Sequence, residues 1–335
     1  MRLSNSAINK IGDIVRRDDG GDAYDESVVI LNDWREAHGA VLDEFYDRSV
    51  ELAHRIDSNI MVAQRLKRLP TIIGKLNRFK TMRLSSMQDI AGVRIIANDM
   101  TQLEEIDKQL LEWDELERVD DYIERPKSSG YRSKHFIFKK DNMFVEIQLR
   151  TQIQHLWATS VETTDILRGS KLKEKDDNSY WHDFFCQVSS IFAIAEDTSA
   201  IEGFEGKTAD EICEELMFNI GRNRIYSRIM SFALANSEVD NREINDAYYL
   251  VITQKFKERK SIVNKYKEDE YHLAFEEYTK QEQKKDWDQQ TVLVAVNQIK
   301  KLREAYPNYF MDLAKFVGAI DYILEKLQEK DKIKV

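Results

Sequence analysis

Apolar and polar residues alternate strictly from Met143 to Arg150: Val145, Ile147 and Leu149 take one parity, and Glu146, Gln148 and Arg150 take the other. Successive strand side chains point to opposite faces, so this pattern predicts a strand with one aliphatic face. Its other face carries an acid, an amide and a guanidinium. Upstream, Asp89 to Ala97 (DIAGVRIIA) reads as a buried strand, and two more strands are predicted over about 118–123 and 134–139. Around them the spacing is helical. One stretch runs from about Asn32 to Leu69, where Pro70 must break or restart the helix, and others run from Thr101 to Trp113 and from Thr151 to Leu167. Strands interspersed with helices within about 130 residues predict a domain of mixed α and β layers.

The pattern then changes. Arg168 to Ser179 (RGSKLKEKDDNS) is polar, charged and nearly free of apolar residues, as a loop or linker would be. Beyond it everything reads as helix. Thr208 and Glu211 have capping-box spacing, and Leu313, Phe316, Val317, Ile320, Leu324 and Leu327 form a helical stripe whose start Pro307 marks. The expected organisation is an N-terminal leader over 1–30, an α+β domain over 31–168, a linker over 169–179 and an all-helical region over 180–335.

Composition narrows the function. The 335 residues are 42% hydrophobic, enough for a sizeable core, and only 3 Pro and 12 Gly favour long helices. A net charge of −10 argues against broad non-specific nucleic-acid binding, though a local basic patch remains open. Cys186 and Cys213 give neither a disulfide framework nor zinc spacing. No apolar run resembles a signal peptide or reaches the length of a bilayer. The expectation is a cytoplasmic protein with no membrane partner.

Against this acidic background, Arg65 to Gln88 holds seven basic residues (Arg65, Lys67, Arg68, Lys75, Arg78, Lys80 and Arg83) and no acid. Lys75 and Arg78 are three apart, hence neighbours on one helical face. The cluster suits a nucleotide's polyphosphate chain; charge alone equally fits a solvated basic face. Asp89 comes directly after it. With Glu146 as the second carboxylate it suits Mg2+, and alone it suits a turn or strand start. Strict alternation sets Asp89 and Arg94 on opposite faces unless Gly92 hides a bulge. A carboxylate beside Lys127, Arg132, Lys134 and Arg150 fits metal-assisted chemistry on a phosphorylated ligand. Tyr131, presented from a Gly-containing turn, suits either packing or stacking on a base. His135 sits among basic residues and could contact phosphate, whereas His155 and Trp157 read as structural.

At these residues the chain resembles the synthetase domain of the RelA/SpoT family, the alarmone synthetases, over about Arg65 to Asp165. The matching pieces, in the family's order, begin with Arg65-Leu66-Lys67, Lys75, Arg78 and Asp89-Ile90-Ala91-Gly92-Val93-Arg94. Next are Asp121-Tyr122-Ile123, Pro126-Lys127 and Gly130-Tyr131-Arg132-Ser133-Lys134-His135, then Glu146-Ile147-Gln148-Leu149-Arg150-Thr151 and His155-Leu156-Trp157-Ala158. The resemblance implies a nucleotidyltransferase-like mixed sheet and transfer of pyrophosphate from ATP to a ribose 3′-hydroxyl. It implies Mg2+ on Asp89 and Glu146, with Glu146 also the base for the acceptor hydroxyl. ATP would be held by Arg65, Lys67, Lys75 and Arg78. The acceptor would meet Tyr131, Lys127, His135 and Arg94, with Gln148 and Arg150 in support. One departure bears on the acceptor: where family members often show Glu-His followed by Tyr-Lys, this chain has Thr163 after Glu162 and no Tyr-Lys pair.

Three functions fit these residues. The first is a synthetase making guanosine tetra- or pentaphosphate from ATP and GDP or GTP. The second is a toxin-like relative moving pyrophosphate to the 3′ end of tRNA, with the basic cluster as its approach surface. The third is a catalytically silent nucleotide sensor, against which the presence of both Asp89 and Glu146 argues. Residues 180–335 could serve a homo-oligomer contact or a regulatory partner.

Overall fold

The computed structural model of the chain describes residues 4–17, 20–67, 69–168, 178–231, 248–255, 260–283, 289–295 and 312–332. They form two compact units, Met1–Glu124 with Ser133–Gln152, and Arg125–Arg132 with Ile153–Val335.

In the first unit the expected leader is replaced by packed helices. Helix α1 (Asn5–Arg17) spaces Ile8, Ile11 and Val15 along one face, and α2 (Asp22–Glu36) adds Leu31. All four are buried in a core with Ile72 and Leu76 of α4 (Leu69–Arg78) and with Leu84, Met87 and Ile90. Pro70 restarts the chain as α4's second residue, where a missing N–H breaks no helix bond. The helix expected from Asn32 to Leu69 is not continuous. Helix α3 (Gly39–Ile56) stops where the Asp57 carboxylate accepts the Asn59 backbone N–H at 2.8 Å, and Met61–Leu66 become an edge strand, β1. Pairing with the next strand overrides helical spacing there.

The sheet is five-stranded, in the order β1-β2-β5-β4-β3, with β2 at Ala91–Ala97, β3 at Leu116–Asp121, β4 at Lys134–Lys140 and β5 at Met143–Thr151. Only the central β2–β5 pair is parallel. Helix α5 (Met100–Leu110) comes after β2, capped by Asp99, which accepts the Gln102 N–H. A two-residue turn of Asp141 (φ 54°) and Asn142 (φ 63°) closes the β4–β5 hairpin, as left-handed turn positions favour. Register then divides the faces. Val93, Ile95, Phe136, Phe138, Val145, Ile147 and Leu149 pack with Phe45 and Leu52 of α3 and Leu103 and Ile106 of α5. The opposite face aligns Arg65 with Gly92, Gly92 with Glu146, Arg94 with Gln148, and Gln148 with His135.

In the second unit, α6 (Gln152–Arg168), α7 (Asn178–Glu196), α8 (Ala209–Asn223) and a helix at Asp312–Lys332 enclose Trp157, Trp181, Phe184, Phe185, Phe192, Phe316 and Ile320. The capping box of Thr208 and Glu211 forms as its spacing predicts. Leu313, Phe316, Ile320, Leu324 and Leu327 are buried. Pro307 and residues 169–177 of the expected linker lie outside the described residues. The expectation of helices throughout 180–335 needs correction: Tyr248–Lys255, Lys260–Lys267 and Gln289–Ala295 form a three-stranded antiparallel sheet with the first of these central. Their segments are rich in β-branched and aromatic residues, and Thr253 and Thr291 meet across the sheet at 3.0 Å, both buried. Among the described residues no helix is long and apolar enough to cross a membrane.

Candidate active site

Asp89 lies in the turn before β2 rather than on the strand, so alternation does not oppose it to Arg94. The Lys67 N–H donates to the Ile90 carbonyl at 2.8 Å and anchors this turn to the end of β1. One Asp89 oxygen, Oδ2, accepts both Lys67 Nζ at 2.7 Å and Lys75 Nζ at 3.0 Å. Two ammonium groups on a single carboxylate leave a net positive charge. The other oxygen, Oδ1, is buried and has no hydrogen-bond partner among the described residues. A buried orphan carboxylate oxygen is costly unless a donor or a cation completes it.

Glu146 is held from both sides. His135 Nδ1 lies 2.9 Å from Oε1, and Gln148 Nε2 donates to Oε2 at 2.7 Å. Gln148 is in turn fixed through its own oxygen, which accepts Arg94 Nη2 at 3.2 Å and Arg150 Nη2 at 2.9 Å. Arg150 Nε also donates to Ser133 Oγ at 3.2 Å. Burial pushes the Glu146 carboxyl up. The bond and charge of His135, the Gln148 bond and the Lys75 charge outweigh it and hold the group down at about 2. Lys75 therefore acts on both carboxylates. Glu146 is ionised throughout the neutral range, as a cation ligand must be. Accepting a proton would require it to loosen its tie to His135.

Of the residues singled out in the sequence, Asp89, Lys67 and Lys75 come together, as do Glu146, His135, Gln148, Arg94 and Arg150. Arg65 projects from the edge strand and is exposed, and Arg78 is exposed in the last turn of α4. Lys134 does not serve Glu146. Its register partner is Leu149, on the opposite face, and its ammonium pairs with Asp107 at 2.7 Å and Asp121 at 3.3 Å. Lys127, Tyr131 and Arg132 belong to the second unit, where Lys127 Nζ lies 5.1 Å from the centroid of the Tyr131 ring. The Tyr131 ring also stands edge-on to Trp157, with centroids 6.5 Å apart. His155 and Trp157 are buried, and Trp157 Nε1 donates to the Phe185 carbonyl at 2.7 Å, so Trp157 takes the structural role expected of it. Sequence spacing missed Ser189, a partner of this loop 57 residues from Arg132; no local pattern marks it.

Among the described residues no group of three or more His, Cys, Asp or Glu side chains could hold a metal ion. Two carboxylates remain a sound donor set for Mg2+, which keeps waters and takes the rest of its oxygens from phosphates. The orphaned Asp89 oxygen and the ionised Glu146 fit such an ion.

Residues 64–166 match the family model described as a region found in RelA / SpoT proteins. The uncharacterized protein Rv1366 of Mycobacterium tuberculosis is 30% identical over 205 residues, 59% of this chain and 72% of that protein. The GTP pyrophosphokinase YjbM of Bacillus subtilis is 30% identical over 126 residues, 34% of this chain and 60% of that enzyme. Among solved structures, small alarmone synthetase 1 from Bacillus subtilis bound to its product pppGpp superposes with a TM-score of 0.42 at 22% identity, covering 49% of this chain and 93% of that one.

Proposed function

The chain belongs to the RelA/SpoT family, and from that premise we propose that it is a pyrophosphokinase that transfers the β,γ-pyrophosphate of ATP to the 3′-hydroxyl of GDP or GTP. One observation carries the reading: Asp89, with two lysines on one oxygen and its other oxygen buried and unpartnered among the described residues, shares the influence of Lys75 with an ionised Glu146. Lys67 and Lys75 bond Asp89, and Arg94 and Arg150 bond the Gln148 that holds Glu146. In a chain of net charge −10, that local excess of cations suits a polyphosphate.

In this reading Lys67, Lys75, Arg65 and Arg78 hold the ATP phosphates and align them. Asp89 and Glu146 would hold Mg2+, which when bound neutralises phosphate charge. The acceptor's 3′-oxygen attacks the β-phosphorus, the bond to the α-phosphate oxygen breaks, and AMP leaves with the charge that develops. Glu146 takes the hydroxyl proton as its bond to His135 loosens, and His135 and Arg94 face the phosphates. Gln148 and Arg150 keep Glu146 in place. Tyr131 stacks on the acceptor base, with Lys127 beside it.

A second acceptor, the 3′ end of tRNA, has one specific support. Arg78, Lys80 and Arg83 are exposed around Phe79, itself 48% exposed, and cations interleaved with an exposed ring suit single-stranded nucleic acid. The deciding experiment offers γ-labelled ATP with Mg2+ to the full chain, with GDP, GTP or deacylated tRNA in separate reactions. Label on a guanosine nucleotide is expected. Label on tRNA alone replaces the acceptor, and no transfer to any of them refutes the pyrophosphokinase reading.

A further inference from the structure

We propose that Ser189, on α7, is a positioning residue for the acceptor loop, so that the helical unit sets how Tyr131 is presented. This rests on the acceptor role given to Tyr131 above. Residues 125–132 lie between β3 and β4 in sequence, yet they pack with the second unit. Within the loop the Gly130 N–H donates to the Lys127 carbonyl at 2.8 Å and the Lys127 N–H to the Tyr131 carbonyl at 3.3 Å. Gly130 has φ +90°, a conformation L side chains rarely adopt, and a β-carbon there would meet Ser189 Cβ at 2.9 Å and Trp157 Cζ2 at 3.1 Å. The turn therefore rests directly on side chains of α6 and α7.

Ser189 ties this turn down on both sides of Tyr131. Its hydroxyl donates to the Gly130 carbonyl at 2.6 Å and accepts Arg132 Nε at 3.0 Å. One hydroxyl supplies one donor and spare acceptor capacity, so it can hold the residue before Tyr131 and the residue after it together. Arg132 is 2% exposed, its Nη2 has no partner among the described residues, and its contact with Thr198 Oγ1 is long at 3.5 Å. Ser189 is thus its main short acceptor. Three residues earlier on the same helix, the Cys186 thiol lies 3.5 Å from the Ser128 carbonyl. Burial, with the charge of Asp183, pushes that thiol up to about 11, so it stays protonated and able to donate. The next residue supplies the contrast: Ser190 is equally buried, but its hydroxyl bonds the Cys186 carbonyl of its own helix at 2.9 Å. Ser189 faces the loop where Ser190 faces the helix.

The test compares Ser189→Ala with Ser190→Ala in the full chain by two readouts. The first is hydrogen–deuterium exchange of the 125–132 amides. Faster exchange there in Ser189→Ala and not in Ser190→Ala is expected, and unchanged exchange in Ser189→Ala overturns the proposal. The second is steady-state kinetics with the acceptor that the labelling experiment identifies. Loss of a tie that also leaves a buried guanidinium short of an acceptor is expected to raise the acceptor's KM about tenfold in Ser189→Ala, with the KM for ATP unchanged. An acceptor KM within about twofold of wild type, or an equal rise for both substrates, overturns it. A wild-type chain that transfers to no acceptor defeats the pyrophosphokinase reading alone, and the exchange result then decides the role of Ser189.

Discussion

Glu146→Gln removes a charge and almost no volume, and the surrounding bonds determine its effect. Gln148 cannot turn its amide around, because its oxygen is engaged by Arg94 and Arg150. The new carboxamide must therefore aim its oxygen at Gln148 Nε2 and its NH2 at His135 Nδ1. A neutral imidazole protonated on the other nitrogen accepts there, so no buried donor is left facing a donor. The variant should fold. Its pH dependence should nevertheless change. The wild-type carboxyl lies at about 2 in the folded protein against an ordinary 4.5. Its stabilisation is complete above about pH 4.5 and is lost as pH falls towards 2, because the unfolded chain takes up the proton first. The difference corresponds to about 3 kcal/mol, of which about 2 kcal/mol is gone by pH 3. The amide has no such proton. Urea unfolding at pH 7 and pH 3 should show the stability gap between the two proteins narrowing by about 2 kcal/mol, while turnover falls roughly 10²–10⁴-fold at neutral pH. Parallel loss of stability in both proteins would refute the bonding described for Glu146, and near-normal turnover would refute its place in the chemistry.

Tyr131→Ala should raise the acceptor's KM roughly tenfold or more while leaving that for ATP within about twofold, as loss of one stacked base implies; equal effects on both would remove the stacking role. Lys75→Met should act the other way, raising the KM for ATP by about tenfold with the acceptor's unchanged, because Lys75 bonds Asp89 and its charge acts on Glu146; an unchanged ATP KM contradicts it. His38 supplies a separate pH test. Burial pushes it below its ordinary 6.5, only partly countered by its bond to the Trp34 carbonyl at 2.8 Å. Stability should thus be full above about pH 6.5 and decline below it, as the unfolded chain protonates first; His38→Gln should lack that decline in urea unfolding between pH 8 and pH 5.5.

The sheet was legible because its signals are local. Alternation in Met143 to Arg150 placed Val145, Ile147 and Leu149 in the core and Glu146, Gln148 and Arg150 on the opposite face, where the structure has them. Where tertiary pairing overrode a local signal, the pattern misled. Met61–Leu66 fell within the helical stretch expected from Asn32 to Leu69 but pair with β2, so Arg65 comes from a strand edge instead of a helix. The N-terminal residues looked like a leader because Ile8, Ile11 and Val15 make only a short stripe. Their burial depends on Ile72, Leu76 and Ile90, far along the chain. The second sheet fell in segments whose apolar runs suit strand and helix alike.

Charge proximity was harder to foresee than face. Lys127, Arg132, Lys134 and Arg150 are near one another in sequence and looked equally suited to Glu146. Strand parity separates Lys134, which turns to Asp107 and Asp121. Lys127 and Arg132 fall within a loop that is hydrogen-bonded to itself and to Ser189 of α7. A loop's conformation is decided by what it rests on, and here that support is a serine hydroxyl and a tryptophan edge on two later helices. The consequence is that the turn carrying Tyr131 rests on α6 and α7. Substitutions in α7 that leave the sheet untouched should then separate acceptor recognition from ATP recognition, which a loop supported by the sheet itself would not allow.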